Sequence, residues 1–232
     1  MAKQTQTQTP DEMQVMLNKS EAFITKYKKQ MIAAVVAIVV VAGGLFFYND
    51  YSKGAQEEAS DAMFAAQEYF ANQKFAEALN GDKKACKGFK YVAENYSSTK
   101  AGNLAKLYAG LCSANLEKWQ DAVNYLEDYS SKGDAVVSPA ALFALGNAYA
   151  NTKNLDKAVE TMKKAAAEAD AEAKDGVSNS FSPTYLLRAA DILLSQNKND
   201  EALAIYQDIK KKYVNSMAYQ EIDKYIERAS QK

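Results

Sequence analysis

Residues 142–165 read LFALGNAYANTKNLDKAVETMKKA. Leu142, Leu145, Gly146 and Tyr149 recur at the spacing of one helix face, and Ala158, Met162 and Ala165 do so again after a polar stretch. Two helices joined by a short polar turn follow from this pattern. Small residues at Gly146 and Ala158 let the two helices approach, and the large ones fill the gap between them.

Self-similarity extends the reading along the chain. Leu142 to Tyr149 matches the first half of the tetratricopeptide pattern, with Leu142 where the consensus has Trp, and Ala158, Met162 and Ala165 occupy its second-helix positions. Upstream, Gly110 and Ala122 keep the twelve-residue separation of Gly146 and Ala158, with Trp119 three before Ala122 and Leu126 at the second-helix aromatic position. Downstream, Ala190 and Ala202 repeat it, with Leu186, Leu193 and Tyr206 in register. A weaker copy comprises Ala66, Tyr69, Phe75 and Ala78. Ala122 to Ala158 spans 36 residues, whereas Ala78 to Ala122 and Ala158 to Ala202 each span 44. The extra residues are expected as loops around 79–82 and 175–180, with Pro139 and Pro183 just inside helix starts and Ser138 and Ser182 as their caps. A last helix from about Ser216 to Gln231 places Tyr219, Ile222, Tyr225 and Ile226 on one stripe, as a capping helix requires. The fold class is therefore all-α: a solenoid of about four hairpins with a C-terminal capping helix.

Composition agrees. Three Pro and ten Gly in 232 residues favour helix, and turn signals at sandwich or barrel spacing are missing. Histidine is absent, which removes the commonest general base, the commonest metal ligand and every Ser-His or Cys-His pair. The net charge is -1 and the arginines are Arg188 and Arg228, a poor match to a nucleic-acid surface. No enzyme activity, cofactor, metal or small-molecule substrate is expected. Acidic pairs such as Glu57-Glu58 and Asp170-Glu172 read as solvated helix faces, and the run Lys210-Lys211-Lys212 as a complement to a helix dipole.

Residues Met31 to Tyr48, MIAAVVAIVVVAGGLFFY, carry no charge over eighteen positions. As a helix they reach roughly 27 Å, about the thickness of a hydrocarbon core. Lys19, Lys26, Lys28 and Lys29 precede the stretch, and Lys53 follows beside Asp50, Glu57 and Glu58. The positive-inside rule then orients an uncleaved signal anchor with its N-terminus cytoplasmic. The expected organisation is a cytoplasmic tail and juxtamembrane helix over 1–30, a transmembrane anchor over 31–48 and an exported repeat domain over 49–232.

A short tail, one anchor and an exported repeat domain together resemble the YfgM-like family of bacterial tetratricopeptide proteins. Glu94 to Gly102, ENYSSTKAG, is similar to that family's inter-repeat turn, as is Lys212 to Ser216, KYVNS, with Ser97 and Val214 where the family has Pro. The resemblance implies a single-pass protein of the bacterial inner membrane whose repeats face the periplasm. It also implies an accessory of the SecYEG translocon working beside a PpiD-like chaperone. An adaptor for envelope or outer-membrane assembly is the alternative binding role, and an enzyme or enzyme subunit a third reading.

Repeat arrays bind along the face lined by their first helices. By register that face offers Leu107 and Leu111, then Phe143, Asn147 and Asn151, then Leu187, Asp191 and Leu194. Leucine and phenylalanine there suit apolar segments of a protein partner, or they pack internally. Asn147 stands where a carboxylate clamp has Asn, but Phe143 replaces the clamp's Lys, so a clamp is not expected. Cys86 and Cys112 fall on neighbouring helices, compatible with a disulfide or with two free thiols in a helical core.

Overall fold

The structure, a computed structural model, describes residues 52–82 and 84–231. The tail 1–30, the apolar stretch Met31–Tyr48 and the boundary at residue 49 lie outside them. Among the described residues no helix is long and apolar enough to cross a membrane. Every regular element described is helical: α1 over residues 52–71, then α2 (Phe75–Asn80), α3 (Gly88–Asn95), α4 (Lys100–Asn115), α5 (Trp119–Glu127), α6 (Val137–Asn151), α7 (Leu155–Ala171), α8 (Ser182–Ser195), α9 (Asn199–Lys212), a 3₁₀ turn (Met217–Glu221) and α10 (Ile222–Ser230).

The pairs α1/α2, α4/α5, α6/α7 and α8/α9 are hairpins with one shared turn. Each turn places a non-glycine residue in the left-handed region: Gln73 at φ 58°, Glu117 at 59°, Lys153 at 64° and Asn197 at 61°. The N–H of that residue donates to the carbonyl three back, and the next N–H reaches five back, as in Lys118 to Ser113 (2.8 Å) and Asn154 to Tyr149 (2.9 Å). This double closure ends the first helix and aims the chain into the second. Five residues after that left-handed residue come Ala78, Ala122, Ala158 and Ala202, all completely buried. A Cβ on Gly110 would lie 2.5 Å from Leu126 Cγ, and one on Gly146 would lie 2.7 Å from Met162 Cγ. These glycines admit the second helix's side chain into the first helix's surface, which is the physical content of the repeat spacing.

Two apolar cores result. One joins α1–α4 through Ala59, Met63, Phe89, Val92 and Cys112, among others. The other runs from α4 to α10 through Leu126, Met162, Tyr206 and Ile209. Both Tyr-x-x-Ser/Thr turns adopt one geometry. Thr99 N and Oγ1 donate to the Tyr96 carbonyl (2.9 and 2.8 Å), and Thr99 Oγ1 accepts from Gly102 N (2.9 Å). Ser216 donates likewise to the Tyr213 carbonyl and accepts from Tyr219 N at 3.2 Å. Both turns thus close through the Thr99 and Ser216 hydroxyls, with no proline at the preceding positions.

Three expectations change. Ser138 and Ser182 are not caps but lie inside α6 and α8, fully buried. Asp134 instead accepts from the N–H groups of Val136 (3.0 Å) and Val137 (2.5 Å), and takes the Ser138 hydroxyl at 2.6 Å. The last helix begins as a 3₁₀ turn, leaving Tyr219 39% exposed while Ile222 is buried. The insertion near residue 80 does not follow a finished second helix but interrupts it: α2 stops at Asn80 and α3 resumes at Gly88.

Candidate functional site

The first helices of the repeats build the candidate face. Leu107, Phe143 and Leu187 each stand three residues before Gly110, Gly146 and Ala190, and Leu111, Asn147 and Asp191 each stand one after. Residues four apart share a helix side, so the matching register sets these groups in rows across α4, α6 and α8. Two side-chain contacts join α6 to α8 beside these rows. The Phe143 ring stacks on Tyr185 at 4.5 Å and 23°, and Arg188 Nε donates to Asn147 Oδ1 at 3.4 Å.

Within those rows the eight residues differ. Leu107 is buried, not exposed as its register suggested, because it packs into the larger core. Leu111, Phe143, Leu187 and Leu194 are half-buried against the same core, each keeping part of its surface in solvent. Asn147 is half-buried and its amide donates back to the Phe143 carbonyl at 3.0 Å. Asn151 is exposed and bonds the Asn147 carbonyl in the same manner at 2.9 Å. Asp191 accepts from the buried Tyr206 hydroxyl at 3.3 Å, tying it to the second helix behind. Burial, with Asp191 beside it, pushes the Tyr206 phenol above its usual value. α6 itself, VSPAALFALGNAYAN, carries no charged residue.

Asp170 is the group that sequence reasoning misplaced. It does not lie on a solvated face; it is only 6% exposed. Its Oδ1 accepts from Ser178 N (2.8 Å) and lies 2.7 Å from Ser182 Oγ. Its Oδ2 accepts from Tyr213 OH (2.7 Å) and pairs with Lys212 Nζ. Burial pushes this carboxyl up, but the Lys212 ammonium and the three neutral donors outweigh it and hold the group below its ordinary range. Asp170 thereby ties the α7–α8 loop to the end of α9. The Lys210–Lys212 run is likewise engaged, since Lys210 pairs with Asp223 at 2.6 Å. Glu58, also expected in solvent alone, accepts from Tyr96 OH at 3.0 Å.

Other chemistry-bearing groups serve packing. Cys86 and Cys112 are free, buried thiols of the smaller core, and burial pushes Cys112 up to about 12. A cavity of about 350 Å³ lies between α1 and the 81–88 insertion, lined by Tyr69, Asp82 and Cys86 among others. Its carboxylate is committed to Tyr69 OH (2.7 Å) and to the N–H groups of Lys84, Ala85 and Cys86. A second, more open concavity of about 370 Å³ is lined by Lys163 of α7, Leu186 of α8, and Glu201, Ile205 and Asp208 of α9.

The family model of a tetratricopeptide repeat-like domain matches residues 21–226. The chain belongs to that family. Two crystal structures of TPR-like repeats, from a protein described as a kinesin light chain of Podosopora anserina, are similar in fold. Each has a TM-score of 0.55 and 14% identity, over 76% of this chain and 86% or 87% of the other. At that identity the likeness concerns fold alone. Among curated proteins no match is found. The tetratricopeptide-like repeats make this chain a protein-interaction scaffold, a framework that typically binds rather than catalyses. The match begins ahead of Met31, so the charge-free stretch belongs to the matched region.

Proposed function

We propose that this protein is a membrane-tethered scaffold whose repeats lie on the periplasmic side of a bacterial inner membrane, at or near the SecYEG translocon and beside a PpiD-like chaperone. One observation carries the binding part of this reading. The first-helix face of α4, α6 and α8 presents a half-buried apolar row centred on Phe143, stacked on Tyr185. The charge-free Met31–Tyr48 stretch with lysines before it supports the tether and its direction. The YfgM-like turns support the setting. A tether meets partners of the same bilayer at high effective concentration, so weak contacts on the repeat face suffice.

The test is a photo-crosslinking phenylalanine analogue at position 143 in intact cells of the source organism, followed by identification of the adducts. Adducts with translocon subunits or a periplasmic prolyl-isomerase chaperone are the expected result. Adducts with outer-membrane assembly proteins instead would replace this setting with the envelope-adaptor role. Labelling of a cysteine placed at exposed Asn151 by a membrane-impermeant thiol reagent checks the topology, and protection of that site until lysis would reverse it.

A further inference from the structure

Asn80-Gly81 is the one Asn-Gly step in the chain, and it stands where α2 stops. An asparagine before glycine is chemically labile. The next backbone nitrogen can attack its carboxamide, and glycine has no side chain to hinder the approach. In the folded chain both reacting groups are held elsewhere. The Gly81 N–H donates to the Glu77 carbonyl at 2.8 Å, and the Asn80 amide donates to the Ala76 carbonyl at 3.1 Å. Attack requires the Asn80–Gly81 peptide plane to rotate, and backbone packed against that plane blocks the rotation. A Cβ built on Gly81 would lie 2.3 Å from the Cys86 carbonyl oxygen. One built on Gly88 would lie 2.3 Å from Gly81 N and 2.6 Å from the Asn80 carbonyl carbon. The Asn80 side chain is nevertheless exposed, so water reaches it once the plane is free.

We propose that Asn80 is a deamidation site gated by opening of the α2–α3 break, and that its reaction makes the opening permanent. Once the Asn80–Gly81 unit lifts from Gly88, Gly81 N loses its proton and bonds to Asn80 Cγ, and the carboxamide nitrogen leaves as ammonia. Water then opens the resulting cyclic imide at either carbonyl. Opening at Cγ gives an ordinary aspartate. Opening at the main-chain carbonyl gives an isoaspartyl link, with one more methylene in the backbone. The packing of Gly81 against Gly88 leaves no room for that methylene. Either product also sets a new carboxylate between Glu77 and Asp82 in the sequence, at the C-terminal end of a helix, where negative charge is disfavoured. The smaller core loosens as a result, since α2 supplies Ala78 and Leu79 to it and α3 supplies Phe89 and Val92.

The experiment ages the full-length chain in lipid nanodiscs in mildly alkaline buffer and follows residue 80 by peptide mapping with mass spectrometry. A free peptide of residues 74–85 is the ungated reference. Asn80 in the folded chain should react at least about tenfold more slowly than in the peptide, because only the opened fraction is competent. Urea below the unfolding transition should raise the rate in the chain. Gly88→Ala, which forces the break apart, should raise it by at least about tenfold. Gly146→Ala, in the third hairpin, should leave it within about twofold. If Gly88→Ala does not fold, the urea dependence and the peptide comparison decide the matter. The aged chain should show faster amide exchange in α1–α3 alone, and Asn80→Ser, which has no carboxamide, should keep the fresh pattern. Equal rates in chain and peptide, a rate indifferent to urea, equal acceleration by the two glycine variants, or unchanged exchange in the deamidated chain would overturn the inference.

Discussion

The first and third hairpins use the same turn and end differently. In α6/α7, Lys153 makes the left-handed turn, Ala158 is completely buried, and the second helix runs unbroken for 17 residues. In α1/α2, Gln73 makes the same turn and Ala78 is equally buried, but the second helix lasts six residues. Gly81 and Gly88 then stand back to back with positive φ, enclosing a loop organised by Asp82. Aromatic packing makes good the lost turns: Phe70 meets Phe75 and Tyr108 edge-on, and Phe89 stacks on Tyr108 at 4.8 Å. A hairpin of this kind is thus specified at its turn. The length of its second helix is negotiable wherever another element fills the space.

The comparison breaks most severely at Gly88. A Cβ there would lie 2.3 Å from Gly81 N and 2.6 Å from the Leu79 carbonyl, at φ +79°, with only backbone to yield. Gly88→Ala should cost roughly 3 kcal/mol or more by urea denaturation, with early amide exchange confined to α1–α3. The helix–helix approaches come next. Gly146→Ala meets the flexible Met162 and should cost about 1–2 kcal/mol, and Gly110→Ala, which meets the branch carbon of Leu126, should cost more. Equal effects at the two sites would show that the neighbouring side chain does not set the penalty.

Acid sharpens the contrast at the inserted loop. Three backbone N–H groups and Tyr69 hold the Asp82 carboxyl far below its ordinary 3.8, the Cys86 N–H contributing most. A depressed carboxyl stabilises the fold above its unfolded value, and that contribution disappears as pH falls toward the folded one. Thermal melts between pH ~5 and ~2 should therefore show a steep loss that Asp82→Asn makes shallower, from a lower starting stability. Unchanged steepness would assign the acid sensitivity elsewhere, to Asp156 or Asp170, which are also held low. The smallest effect belongs to the shared turn. Gln73→Gly should gain up to about 1 kcal/mol by relieving its left-handed backbone. Asn197→Gly should be close to neutral, because asparagine already tolerates that region.

Much of the architecture was legible without coordinates. Gly110, Gly146 and the four buried alanines lie at their interlocking positions because side-chain approach between hairpin partners depends on spacing along the chain. Register likewise brought Phe143 and Asn147 against α8. What register could not tell was burial: Leu107 occupies the same position as Phe143 but is covered by the larger core. Exposure of a face depends on which neighbouring helices pack above it, and no local period encodes that.

The sequence by itself determined the helical class, the four turns and the pairing of small with large residues, since each depends on neighbours within about one hairpin. Only the tertiary structure decided that Asp170 is a buried junction, because its partners Lys212 and Tyr213 lie 42 and 43 residues away. It also decided that the first hairpin's second helix breaks at Gly81 and resumes at Gly88. A polar residue on a helix reads as solvated until a distant element brings donors to it, and a glycine reads as a loop end until a second backbone packs against it.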